Sequence, residues 1–271
     1  MLRDITIGQY YQTESVIHKL DPRVKLMGTL VFIISLFLGK SVWIYLGATI
    51  FLAVVIKLSN VPLKFILKGL KAVVLLIVLS AAFNLFLTDG RVLVHFWIFT
   101  ITAEGLYQAV FMVIRLIYLI MGSSLMTLTT TPNHLTDGLE KGLGFLKKIK
   151  VPVHEISMMM SIALRFIPIL IEETDKIMKA QLARGADFEN GNILKRAKAM
   201  IPVLVPLFIS AFRRANELAM AMEARCYHGD EGRTKMKPLK YQKRDRIAYI
   251  SMFGYLAVLI ALNVWMSGRI I

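Results

Sequence analysis

Cysteine is almost missing from this 271-residue chain. Cys226, the single one, closes no internal disulfide, and no CxxC pair is present to hold zinc or run thiol redox chemistry. Acid is scarce too: 18 Asp and Glu stand against 33 Lys and Arg, a formal net charge of +15. None of the 17 glycines falls in a G-x-x-x-x-G-K-[ST] loop, so any energy from ATP must come from another chain. The five histidines, His18, His95, His134, His154 and His228, form no H-E-x-x-H, and no G-x-S-x-G serine occurs. His134, Asp137 and Glu140 come nearest to an ionisable cluster, and His154-Glu155 after Pro152 reads as the solvated start of a helix. These absences predict a chain that is not an enzyme and needs no cofactor or metal.

What is abundant is apolar surface. Fifty-six per cent of residues are hydrophobic, only 19% are charged, and the mean hydropathy is +0.60; a soluble domain has an apolar fraction nearer ~45–50%. The chain therefore reads as an all-α integral membrane protein. Residues 247–268 form a run of 22 without a charge, enough to cross a ~30 Å hydrocarbon core as helix. Residues 72–88 give a second uncharged run, and 106–131 a third interrupted only by Arg115. From 26 to 56 the sole charge is Lys40, in Gly39-Lys40-Ser41, which predicts two short helices joined by a turn. About five spans result. Residues 92–103 are too short to cross and rich in β-branched and aromatic types, as expected of a segment at the interface. The first 25 residues have no unbroken apolar stretch, which predicts insertion by internal segments.

Charge then gives the expected direction. With the N-terminus inside, Arg3, Lys19, Arg23, Lys25, Lys57, Lys64, Lys68, Lys71 and the 21 basic residues of 132–246 are cytoplasmic; Lys40, Arg91 and Arg269 remain outside. A 29-to-3 division is a strong positive-inside signal. It predicts a plasma-membrane protein with a cytoplasmic N-terminus and an external C-terminus. Arg115, left inside a span, is expected to pair with a carbonyl or polar group on another helix. The basic stretch 233–246 is expected to anchor lipid headgroups; it carries no nucleic-acid reading motif.

Expected domains are a cytoplasmic N-terminal segment (1–25), a four-span membrane part (26–131), a long helical cytoplasmic insert (132–246) and a final span (247–271). Within the insert, 153–171 and 199–212 are nearly as apolar as the spans, and Pro168, Pro202 and Pro206 should kink their helices. Beyond the kinks, 169–184 (ILIEETDKIMKAQLAR) and 212–225 (FRRANELAMAMEAR) are strong helix formers without Gly or Pro. Ala211, Ala215 and Ala219 recur at i, i+4 and i+8, a face suited to a close helix crossing, or simply good helix formers. Met158, Met159, Met160, Met178, Met200, Met220 and Met222 suit either a surface that repacks or ordinary core filling.

Both polar helices end alike, in Ala183-Arg184-Gly185 and Ala224-Arg225-Cys226, 41 residues apart. A cation in the last turn followed by a small residue serves a helix C-terminus in its own right. Duplication adds a second reading: two exposed guanidiniums suit bidentate docking into two acidic grooves. At these residues the chain resembles the transmembrane coupling component, the T subunit, of energy-coupling factor transporters, a family with short Ala-Arg-Gly motifs at the ends of two cytoplasmic coupling helices. Gly8-Gln9-Tyr10, Ser15, His18 and Leu20-Asp21-Pro22-Arg23-Val24-Lys25 are similar to that family's opening segment. Cys226 departs from the second Gly, and because Cys tolerates positive φ poorly, the second helix is expected to run on to Tyr227 and break nearer Gly229. The resemblance implies a lever between two cytoplasmic ATPases and a membrane protein that captures a vitamin or metal ion. Ala183, Arg184, Gly185, Ala224, Arg225 and Cys226 would be the ATPase contacts. A stand-alone secondary transporter is the alternative, but it calls for inverted repeats, and none is visible.

Overall fold

The computed structural model describes residues 10–38, 41–96, 99–188, 192–229 and 238–267. The Gly39-Lys40 turn, Gly8-Gln9, residues 233–237 of the basic stretch and Arg269 lie outside the described residues. The architecture is all-α with one short exception. Contacts divide the chain into two units, one of Gly8–Gly138 with Leu239–Ile271, the other of Leu139–Pro238.

In the first unit, helix α1 (Pro22–Ser35) starts where Pro22 presets the backbone and Asp21 caps it, its carboxylate accepting the Arg23 N–H at 2.9 Å. Helix α2 (Val42–Ser59) is capped by Ser41 and stops at Asn60, whose φ of 53° turns the chain toward Pro62. Helices α3 (Leu63–Lys71) and α4 (Val74–Leu87) meet at a 63° bend. A two-stranded antiparallel hairpin follows, β1 (Val92–Phe96) with β2 (Phe99–Thr102). Thr102 then caps α5 (Ala103–Thr129) by accepting the Gly105 N–H at 3.0 Å. Helix α6 (Pro132–Gly142) leads away, and α9 (Lys243–Ser267) returns.

Helix α5 packs against α1, α2, α3 and α4, and α9 closes on α1 and α2. The core gathers Phe32, Leu36, Tyr45, Ala48 and Leu52, with Phe51 stacked on Tyr255 at 4.2 Å. A second cluster joins Val61, Ile66, Leu125 and Leu128. Arg115 is answered within this unit: its Nε donates to the Tyr45 hydroxyl at 2.9 Å, and its guanidinium lies 5.0 Å from the Phe37 ring.

Four described helices are long and apolar enough to cross a membrane, α2, α5, α7 (Val153–Ala183) and α9, or five when the bent pair α3–α4 counts as one span. The number equals that of the expected spans, but by length and composition alone α1 falls short and α7, which lies in the expected insert, qualifies. Helix α1 has only 14 residues, about 21 Å, because the chain leaves helix after Ser35. Conversely α7 runs unbroken through Pro168, so its apolar half joins its polar half in one 31-residue helix.

A polar knot closes the end of this unit where α1 and α9 begin. Asp245, 1% exposed, accepts the backbone N–H of Asp21 at 2.9 Å and of Gln242 at 2.8 Å. Arg23 grips Asp21 through Nε and Nη2 at 3.0 and 2.8 Å and lies 3.8 Å over the Tyr241 ring. Lys25 donates to the carbonyls of His18 and Thr129 at 3.1 and 2.7 Å. The sequence places Arg244, Asp245 and Arg246 only in the basic stretch expected to anchor lipid headgroups.

Candidate functional site

The second unit carries the two polar helix ends. Helix α7 follows a 3-10 turn (Gly144–Ile149), and α8 (Ile193–Ala224) runs 32 residues with Pro202 and Pro206 inside it.

Where α7 stops, Gly185 takes φ 85°; its N–H donates to the Leu182 carbonyl at 2.9 Å and that of Ala186 to Gln181 at 3.0 Å. Where α8 stops, Cys226 takes φ 54°; its N–H donates to Glu223 at 2.9 Å and that of Tyr227 to Met222 at 3.0 Å. Each pair of bonds, 5→2 and 6→1, is the Schellman arrangement, with Arg184 and Arg225 in the same C-cap position. The expected run-on to Tyr227 is therefore corrected: α8 ends at Ala224, and Cys226 adopts the left-handed conformation that Gly185 adopts. The two closing bonds and an exposed site without steric crowding offset a strain of about 1 kcal/mol. His228 Nδ1 lies 2.8 Å from the Cys226 carbonyl and further fixes the turn.

Ala183, Arg184, Gly185, Ala224, Arg225 and Cys226 are all exposed. Among the described residues neither guanidinium has an ion-pair partner. Two cations are thus held at matched backbone positions with their donors open to solvent, a geometry able to accept planar carboxylates from outside.

Helix α8 packs against α7, and its buried and half-buried residues Val203, Leu207, Ser210, Arg214, Leu218 and Met222 recur three and four apart on one face. Ala211 is half-buried at the edge of this face, and Ala215 and Ala219 are exposed; the face combines the buried Val203 and half-buried apolar side chains with the polar Ser210 and Arg214. Glu173 accepts from Ser210 Oγ and from Arg214 Nη2, the latter at 2.7 Å. Pro206 has no N–H to offer the Pro202 carbonyl four residues earlier. The Gln181 amide donates to that carbonyl at 3.3 Å. Sequence reading missed Glu173, Gln181 and Arg214; the one visible signal was a proline pair whose freed carbonyls need donors from elsewhere.

The methionines divide. Met159, Met160 and Met220 are exposed, whereas Met158, Met178, Met200 and Met222 are half-buried. His154 is corrected from solvated to buried, at 6% exposure: Nδ1 lies 3.0 Å from Glu140 Oε1, and Ser157 donates to Glu140 Oε2 at 2.8 Å. The reason is that the first turn of α7 folds back on the Glu140 side chain. Ser157 donates to the carboxylate that also meets the imidazole, and the trio braces the start of α7 against Glu140. No group of three metal-ligating side chains occurs among the described residues.

The family model described as "Cobalt transport protein", CbiQ, matches residues 13–236. Over 245 residues the chain is 56% identical to the energy-coupling factor transporter transmembrane protein EcfT of Ruminiclostridium cellulolyticum, covering 90% of this chain and 92% of that protein. Against the protein of the same name from Clostridium kluyveri it is 52% identical over 267 residues, 98% and 99% of the two chains. Against that of Bacillus subtilis it is 45% identical over 264 residues, 97% and 100%. Multiple apolar helices, two matched caps and similarity along nearly the whole length place this multi-pass membrane chain in one family: it belongs to the transmembrane, or T, components of energy-coupling factor transporters.

Proposed function

We propose that this chain is the non-catalytic lever of an energy-coupling factor importer, carrying ATP-driven motion from two cytoplasmic ATPases to a membrane protein that captures a vitamin or other micronutrient. The observation that carries the reading is the pair of matching Schellman caps, each presenting an exposed Arg that has no ion-pair partner among the described residues. Arg184 and Arg225 each enter an acidic groove on one ATPase; Ala183, Gly185, Ala224 and Cys226 keep the approach free of bulk. The exposed Ala215 and Ala219, with Ala211, supply a close-contact face for a partner helix in the assembly. The charge distribution supports a cytoplasmic N-terminus, a cytoplasmic insert over 132–246 and a final span over 247–271 that ends outside.

Coexpression of the tagged chain with an ATPase pair and a capture protein from the same genome tests this. Detergent co-purification of wild type should recover both ATPases. Arg184→Glu or Arg225→Glu should each weaken recovery, and the double change should abolish it. A buried charge-assisted contact of this kind is worth about 2–5 kcal/mol when one partner is removed. Equal recovery from all four chains would reduce the arginines to helix caps.

A further inference from the structure

Two rods touching at one point pivot; two separated contacts fix their angle. Helices α7 and α8 have two polar contacts, Glu173 with Ser210 and Arg214, and Gln181 with the Pro202 carbonyl. On α7 these lie eight residues, about 12 Å, apart. The second exists because Pro206 leaves the Pro202 carbonyl without its helical donor. Gln181 is also part of the first cap: its own carbonyl accepts the N–H of Arg184 at 3.1 Å and of Ala186 at 3.0 Å. One residue therefore ties the proline break of α8 to the turn that presents Arg184.

We propose that Gln181 is a positioning residue that, together with the Glu173–Arg214 pair, fixes the crossing angle of α7 and α8 and so the spacing of the Arg184 and Arg225 caps. Arg225 stands 15 residues beyond Ser210, a lever of about 22 Å, so a 10° pivot moves it by roughly 4 Å. That exceeds the tolerance of a bidentate hydrogen bond. Two contacts on one rigid lever reinforce each other only when both can be made at once. The proposal rests on the reading above for its consequence in the complex, but not for its geometry.

The geometry is tested on the chain alone in lipid nanodiscs, with Cys226→Gly and nitroxide labels at Lys179 and Met220, both exposed. Pulsed dipolar spectroscopy should give one narrow distance distribution. Gln181→Met, which keeps the bulk and removes the donor, should broaden it at least about twofold. Gln181→Lys, which keeps a donor on a long stem, should preserve it. A Met variant as narrow as the parent overturns the proposal. In the complex, Gln181→Met should lower ATPase recovery several-fold, yet add nothing in an Arg225→Glu background, where one cap alone is engaged and spacing no longer matters. If the two changes multiply, Gln181 acts only on its own cap and the spacing role is lost. If neither Arg→Glu change affects recovery, the ATPase reading fails, and the distance distribution alone decides for or against Gln181.

Discussion

Gly185 and Cys226 occupy the same left-handed position in two equivalent turns, one free of penalty and one strained. Exchanging the residue types should therefore act with opposite sign. Gly185→Ala is expected to lower stability by about 1 kcal/mol and Cys226→Gly to raise it by a similar amount, since no atom crowds Gly185 and backbone conformation alone is at stake. Melting temperatures of the purified single variants decide it; a loss for both would mean that the thiol makes a contact of its own. Titration of the N-terminal segment is also a residue-scale matter. Burial holds the His18 imidazole below its ordinary value, aided by the nearby Lys25 charge and opposed by the bond to the Tyr11 carbonyl. Burial, then Arg244, lowers Lys25 to about 8, against Asp21 and Asp245, which favour its charge. In both cases the unfolded chain binds protons more readily than the folded one, so stability rises with pH. For His18 the loss sets in as pH falls below its ordinary ~6.5; for Lys25 the gain comes between about 8 and 10.5. Unfolding midpoints measured from pH 5 to 10 should climb in these two windows. His18→Gln should flatten the acid one and Lys25→Met the alkaline one, and a profile unchanged by both would refute the assignment.

Helix α5 owes its central place to small residues at its crossings. A Cβ on Gly122 would stand 2.8 Å from the ring of Phe32, which is 4% exposed and stacked near Phe51. With no room for the ring to yield, Gly122→Ala should cost about 1–3 kcal/mol by overpacking. The same change at Gly254, exposed inside α9 with nothing within 4 Å, should cause no loss and, by helix propensity, a gain of up to about 1 kcal/mol, which makes it the control. Elements of this kind differ in how plainly the chain announces them. Helices α2, α5 and α9 were legible because long uncharged runs are themselves the physical requirement for crossing a bilayer. The first cap was legible as well, because Gly after Ala-Arg is a local signal; the second was expected beyond Tyr227, because only its closing bonds show Cys226 taking the left-handed turn. The length of α1, the continuity of α7 through Pro168 and the burial of His154 depend on neighbours brought in by folding. So does the bond between Asp21 and Asp245, 224 residues apart. Gln181 shows the limit most clearly: the Pro202-Pro206 pair states that carbonyls are freed, but only the crossing says which donor reaches one of them.

At the scale of the molecule, charge predicts sidedness. Between residues 22 and 88 there is no Asp or Glu, while Lys57, Lys64, Lys68 and Lys71 cluster from the end of α2 through the amphipathic α3. A membrane potential negative inside opposes export of such a cluster, and the same holds for the many basic residues of the insert. The β1–β2 hairpin, separated from those lysines by the apolar α4, would then lie on the opposite face. The chain contains its own reporter for this arrangement, since its single cysteine is exposed at the end of α8. Expressed without ATPases, the protein should leave Cys226 unreactive toward a membrane-impermeant maleimide in intact cells and fully reactive in inverted vesicles. Asp89→Cys combined with Cys226→Gly should show the reverse, because Asp89 is exposed just before the hairpin. Labelling of Cys226 from outside would invert the topology, place both Arg caps beyond the reach of cytoplasmic ATPases, and remove the lever mechanism together with the orientation.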